Sequence, residues 1–301
     1  MKTIVFAYSE FGCIGIEELK AAGYDIAAVY TYVDDPKENV FYRSVAKVCV
    51  EQGVPAYLWD NESAKQVEVI APDFIFSFYY RSLIPDAVLS LAKKGAYNLH
   101  GSLLPHYRGR APVNWVLVNG ETQTGVTLHH MVARADAGDI VAQIPVDIAY
   151  EDTAFILQHK LLKAAKQMLK EQLPLIAQGR AARTKQDIAQ GNYCGRRTPA
   201  DGQIDWNKPA EVVRNLVRAV TQPYPGAFSF AGGRRMLIWE AAVEADKKGV
   251  PGMVLSTAPL TIACGQGALV VKAGQTEEGL YLSGNQLAQA LAIKAGMRLG
   301  L

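Results

Sequence analysis

The chain has 301 residues, half of them hydrophobic and a fifth charged, a composition that buries a sizeable core and excludes a disordered chain; roughly two domains of about 100–200 residues are expected. A formal net charge of +2 and a pI near 8.2 are too balanced for a general nucleic-acid binder, whose domain pI typically exceeds about 9. Cys13, Cys49, Cys194 and Cys264 lie far apart, without C-x-x-C or zinc-ligand spacing, and read as reduced core thiols; no stretch approaches the ~18 consecutive apolar residues of a membrane span.

Residues 3–8 form a β-prone run. Its apolar part is shorter than the about 7–15 residues of a signal-peptide core, so it reads as a first buried strand of a cytoplasmic protein. Residues 9–12 break that strand, and an amphipathic helix follows over 13–22, ended by Gly23. The alternation continues with a strand at 25–32, a helix at about 39–52, a strand at 55–58, a helix at about 61–71 and a strand at 73–78. A short helix after Pro85 leads into a strand at 96–100. Strands alternating with helices at this spacing define an α/β domain with a doubly wound, mostly parallel sheet. A further strand at 126–130 precedes a long amphipathic helix from Thr153 to about Gly179.

Residues 180–202 lose periodicity and read as a trailing linker, which closes a first domain over 1–202. After a helix at about 210–221, short β-like runs at 227–230, 236–242, 252–256, 260–263 and 268–273 suggest a small barrel-like domain over 203–301. The turn after the first strand, SEFGCIG, lacks the G-x-G-x-x-G phosphate loop, which argues against nicotinamide and flavin dinucleotides. G-x-S-x-G, Walker A and H-E-x-x-H patterns are also missing.

The chemistry is concentrated at 96–112, AYNLHGSLLPHYRGRAP. Asn98 and His100 are two apart on a strand and therefore face the same side, at the carboxyl edge where such sheets bind ligands. A second polar patch, ARADAGD at 133–139, contains Asp136, placed to return a carboxylate to the imidazole. Both histidines of the pair His129-His130 read as structural or solvated, because alternation sends them to opposite faces. His106 and His159 read as surface residues. Arg108 and Arg110, in a Gly/Pro-rich loop, read as anion or ligand contacts, and Trp115, Trp206 and Tyr224 as packing aromatics.

The N-x-H with S-L-L-P directly after it, the D-x-G at 136–138 and PYPGAF at 223–228 resemble the 10-formyltetrahydrofolate-dependent formyltransferases over the whole chain. The resemblance implies a catalytic triad of Asn98, His100 and Asp136, and 10-formyltetrahydrofolate as formyl donor. It further implies folate contacts at Ser82, Leu83, Ile84, Arg110, Val132, Ala133, Arg134, Ala135 and Asp136, and no metal. Within the family, FSFYYRSLIP at 76–85 and the segment 98–122 are most similar to the branch that formylates UDP-amino sugars. That branch implies a UDP-amino-sugar substrate. It also implies a full-length protein that oligomerises and continues into an NAD-dependent decarboxylase domain.

Formylation of charged initiator tRNA is the main rival. It predicts a long basic insertion after the second strand, whereas Asp34-Asp35-Pro36-Lys37-Glu38-Asn39 is short and acidic. Residues 203–301 hold ten Lys/Arg against seven Asp/Glu, a weak excess for a tRNA platform, so no nucleic-acid partner is expected. A catalytically silent binding module would not need the triad, and a glycinamide ribonucleotide formyltransferase would not need the β-rich second domain.

Overall fold

A computed structural model describes residues 1–34 and 39–300. Residues 35–38, within the acidic segment set against a tRNA substrate, lie outside the described residues. The chain divides into two compact units. One comprises Met1–Pro112, Gln123–Asp147 and Gln158–Gly195; the other comprises Val113–Thr122, Ile148–Leu157 and Arg196–Leu301.

The chain begins β1 (Lys2–Ala7), α1 (Ser9–Ala21), β2 (Asp25–Thr31), α2 (Val45–Gln52), β3 (Ala56–Leu58), α3 (Ser63–Ile70) and β4 (Phe74–Phe78). There follow α4 (Asp86–Leu89), β5 (Gly95–His100), β6 (Arg108–Gly109), α5 (Pro112–Val118), β7 (Gln123–His130), β8 (Ile140–Asp147), α6 (Ala154–Ala177) and β9 (Tyr193–Cys194). The sheet of the first unit runs β3-β2-β1-β4-β5-β7-β8. Its first five strands are parallel, while β7 and β8 are antiparallel additions. Strand order reverses between β1 and β4, the switch point where such sheets open a ligand crevice.

Both faces of the sheet are covered, which is why β1 and β4 are continuous apolar runs rather than alternating ones. On one face Ile4, Phe6, Tyr30, Ile75 and Ala96 pack with Val67 of α3 and Val88 and Leu89 of α4. Helix α4 has only four residues. Asn98 and His100 follow Ala96 on the same face of β5.

Three expectations need correction. Helix α1 starts at Ser9, so the residues read as a strand break are its first turn. Their glycine serves helix packing rather than a turn: a Cβ on Gly12 would sit 2.9 Å from Val45 Cγ2, and one on Gly15 would meet the Phe78 ring at 2.3 Å. Helix α2 begins at Val45 rather than near 39, where the Ser44 side chain accepts from the Lys47 amide as N-cap. The segment read as a linker stays with the first unit as far as Gly195. It pairs Thr184 with Ile140, and β9 with β6. Strand β8 was not visible in sequence because Pro145 interrupts it; an edge position tolerates that proline.

The second unit carries α7 (Ala210–Val220), β10 (Ala227–Ala231), β11 (Arg234–Glu244), β12 (Val254–Thr257), β13 (Leu260–Ala263), β14 (Ala268–Thr276), β15 (Tyr281–Ser283) and α8 (Gly284–Ala290). Its antiparallel sheet runs β10-β11-β14-β13-β12, with β15 added to β14, and forms a curled half-barrel. The apolar face of α7, with Val213 and Val217 buried, lies against β11 and β14. Trp206 is packing, as expected: it is buried and donates its indole N–H to Ser229 Oγ at 2.9 Å.

Candidate active site

Strand β5 ends at His100, which is 7 % exposed. Its Nε2 lies 2.8 Å from the backbone oxygen of Tyr107. A carbonyl oxygen only accepts, so Nε2 carries a hydrogen in either protonation state. Nδ1 is therefore the nitrogen that gains and loses a proton, and it faces Asp136 Oδ1 at 3.7 Å. The loop that brings Tyr107 back is closed by Ser102 Oγ, which donates to the His106 oxygen at 2.7 Å. This gives the S-L-L-P segment a physical role: it returns a carbonyl to the histidine it follows.

Asp136 Oδ1 is the hub of the site. Asn98 Nδ2 donates to it at 3.4 Å, and His129 Nε2 lies 3.5 Å away. Oδ2 accepts the Gly109 N–H at 2.8 Å. Burial alone would raise the Asp136 carboxyl, but the two histidines and the Gly109 amide outweigh it and hold the group well below the usual carboxylate range. A depressed folded-state pKa adds stability above the unfolded value of about 4 and loses it as pH falls from there towards the folded value. The stability gap between wild type and Asp136→Asn, measured by urea unfolding, is therefore expected near pH 7 and should shrink near pH 3. An equal gap at both would show that the carboxylate charge contributes nothing.

His129, read from the sequence as structural or solvated, is structural and also lines the site. It is buried at 1 % exposure, its Nδ1 lies 2.8 Å from the His130 oxygen, and its Nε2 lies 3.0 Å from Asn98 Nδ2. With Nδ1 the donor, Nε2 accepts from Asn98 when the ring is neutral and donates to Asp136 when the ring is protonated. The signal was the register: Asn98 and His129 are directly opposed across β5 and β7, so their side chains share a face. Sequence gave the alternation of β7 but not its partner strand. The geometry also places both polar contacts of Asn98 on Nδ2, shared by His129 and Asp136; among the described residues nothing hydrogen-bonds to its Oδ1.

These groups line one cavity of about 440 Å³ at the carboxyl ends of β4 and β5. Ser82, Leu83, Ile84, Arg110, Val132, Ala133, Ala135 and Asp136 all line it, together with Asn98 and His100. Arg134 is exposed and is not among the lining residues. Leu83 and Val132, 76 % and 43 % exposed, form an apolar lip. Tyr79 and Tyr193 line the wall and had no sequence signal. Tyr79, Tyr107, Ala111 and Asp136 all have positive φ without being glycine, and such backbone strain gathers where side chains must be held for function. Arg108, expected to contact an anion, is instead buried and donates to the Ile188 oxygen at 3.2 Å. His106 and His159 are exposed, as expected. Among the described residues no group of three or more His, Cys, Asp or Glu is placed to hold a metal ion.

An amide, an imidazole and a carboxylate gathered at the carboxyl edge of this doubly wound sheet form a site able to hold a polar ligand and to move a proton. The formyl transferase family model matches residues 1–173, and the model of the formyl transferase C-terminal domain matches residues 196–291. The chain belongs to the formyl transferase family. Among solved structures, it is similar to an N-formyltransferase from Helicobacter canadensis in complex with folinic acid and dTDP-3-aminofucose. That match has 19% identity and a TM-score of 0.71 over 90% of this chain and 99% of that one. The sugar 3N-formyltransferase WlaRD, in the presence of dTDP and 5-N-formyl-THF, matches at 17% identity, with a TM-score of 0.70 over 93% and 99%. HypX from Aquifex aeolicus, in complex with tetrahydrofolic acid, matches at 19% identity and a TM-score of 0.63, over 98% of this chain but 48% of that one. At these identities the likeness is one of fold.

Proposed function

We propose that the protein transfers the formyl group of 10-formyltetrahydrofolate to the 4-amine of UDP-4-amino-4-deoxy-L-arabinose, a cytoplasmic step of lipid A modification linked to polymyxin resistance. The observation that carries the transfer is the gathering of Asn98, His100 and Asp136 around one carboxylate oxygen at the wall of an apolar-lipped cavity. The amino-sugar class is supported by the N-formyltransferases of the same fold. The UDP-linked pentose is supported by the similarity of 76–85 and 98–122 to the UDP-amino-sugar branch.

The donor's pterin fits between the Ser82–Leu83–Ile84 loop and the Val132–Asp136 loop, whose apolar lip suits a flat heteroaromatic ring. The amine nitrogen attacks the formyl carbon, a C–N bond forms and the carbonyl becomes a tetrahedral oxyanion. Collapse breaks the bond to folate N10. One proton leaves the amine and one reaches N10, and His100 Nδ1 is the atom placed to carry it. Asp136 supports the imidazolium. Asn98 stabilises the oxyanion by presenting an Nδ2 hydrogen, which it must release from His129 or Asp136. Arg134 completes the folate contacts by moving onto the mouth of the pocket. Residues 1–202 make up the catalytic domain and 203–301 the second.

The test is a formyl-transfer assay with 10-formyltetrahydrofolate against a panel of UDP- and dTDP-amino sugars and charged initiator tRNA. Turnover is expected on UDP-4-amino-4-deoxy-L-arabinose, and it should persist in excess EDTA because the site groups supply all proton transfers. Turnover on tRNA alone would overturn the substrate assignment, and loss with EDTA restored by zinc would overturn the metal-free chemistry.

A further inference from the structure

Asp136 has φ 51°, a left-handed backbone that a non-glycine residue keeps only when its surroundings hold it. The carboxylate accounts for part of that hold, through Gly109 N–H. The backbone on either side needs its own. It comes from the segment the sequence presents as a linker: Gln186, 7 % exposed, donates its amide to the Asp136 oxygen at 3.2 Å and also to the Gly138 oxygen. One side-chain amide thus bridges the two carbonyls of the D-x-G turn. The same segment pairs Thr184 with Ile140 just beyond the turn, and Arg183 binds Asp139 at 2.7 Å. It reaches the other partner of His100 as well, because Asn192 Oδ1 accepts the Tyr107 amide at 2.6 Å. The two groups that orient the imidazole, Asp136 on Nδ1 and the Tyr107 carbonyl on Nε2, are therefore both fastened from behind by residues 183–194.

We propose that Gln186 is a positioning residue for formyl transfer: it fixes the backbone of the D-x-G turn and thereby sets the placement of the Asp136 carboxylate against His100. The proposal rests on the triad assignment made above. Gln186 touches neither the cavity nor a reacting atom, since it is not among the lining residues. Its effect runs wholly through Asp136. Removing its two N–H groups leaves two carbonyls of a strained turn without their donor, and the turn relaxes towards ordinary φ. A carboxylate displaced by a fraction of an ångström keeps its charge but loses its direction, which is where small misplacements are costly in catalysis.

Gln186→Met keeps the volume and removes both donors, and Gln186→Ala removes the side chain. Both are to be compared with Lys185→Ala, an exposed neighbour in the same segment. For Gln186→Met the expected result is a kcat lower by about 10-fold or more with KM for donor and acceptor within about twofold, while Lys185→Ala matches wild type. In an Asp136→Asn background, which has no carboxylate to aim, Gln186→Met should cost little more. That non-additivity is what a merely structural role would not produce. A normal kcat for Gln186→Met, or a full additional loss in the Asp136→Asn background, would overturn the proposal. If Gln186→Ala unfolds, the Met variant and the double mutant still decide. Failure of the triad assignment itself would show separately, as near-normal turnover of Asp136→Asn alone.

Discussion

His100→Ala is expected to abolish formyl transfer while leaving the protein folded. Proton transfer by a positioned side chain is typically worth about 10²–10⁴-fold, and His100 Nδ1 is the atom placed for it. Truncation also removes the His100 N–H from the Tyr107 carbonyl, which keeps Ser102 Oγ at 3.5 Å, and takes the imidazole away from Asp136. Losing a buried hydrogen-bond partner costs about 1–3 kcal/mol, within the margin of about 5–15 kcal/mol that a domain of this size carries. Circular dichroism should therefore match wild type while turnover is lost. Asn98→Ala should lower kcat by about 10²–10³-fold with little change in KM, the signature of a donor used only in the transition state. Because both residues converge on Asp136 Oδ1, their effects should fall far short of additive. Near-normal turnover by either variant would remove that residue from the mechanism.

Gly138→Ala, at a residue with no side chain to touch a reacting atom, is also expected to have a large effect. A Cβ at this position would lie 1.9 Å from the His130 backbone oxygen, and neither side of that contact is a flexible side chain. The clash can be relieved only by moving the turn away from the end of β7, and the turn carries Asp136. The cost in stability should be about 1–3 kcal/mol, typical of overpacking a close contact. The cost in kcat/KM should be larger, about 100-fold, because the carboxylate moves with the backbone. Urea unfolding and steady-state kinetics on one preparation separate the two. A variant that loses stability but keeps full activity would show that the turn and the carboxylate are not coupled.

The glycine of the D-x-G motif shows how far sequence reasoning reaches. The motif was legible as a pattern, and so was the shared face of Asn98 and His100, because strand alternation needs only the local chain. The Ser9–Gly12 stretch reads as a break because a glycine that ends a strand and one that lets a helix approach Val45 look alike locally. The contact of His129 with Asn98 is invisible locally because it depends on which strand β7 pairs with, and the antiparallel return of β7 onto β5 is a long-range choice. Gln186 and Asn192 sit in a segment without periodicity. Their function lies in hydrogen bonds to backbone 48 to 85 residues away, which no local pattern encodes. Composition alone suggests a ligand contact for Arg108, and its burial against Ile188 is again a matter of tertiary pairing.

The central claim is that His100 carries the proton at Nδ1 under the control of Asp136. The most direct test is the pH dependence of kcat/KM for wild type and Asp136→Asn with the same donor and acceptor. The substitution keeps the size of the side chain and removes its charge, so an imidazolium loses its partner carboxylate and its proton is held less tightly. The account predicts that the acidic limb of the profile moves to lower pH in Asp136→Asn, with a reduced plateau. A limb at the same pH as wild type would contradict it.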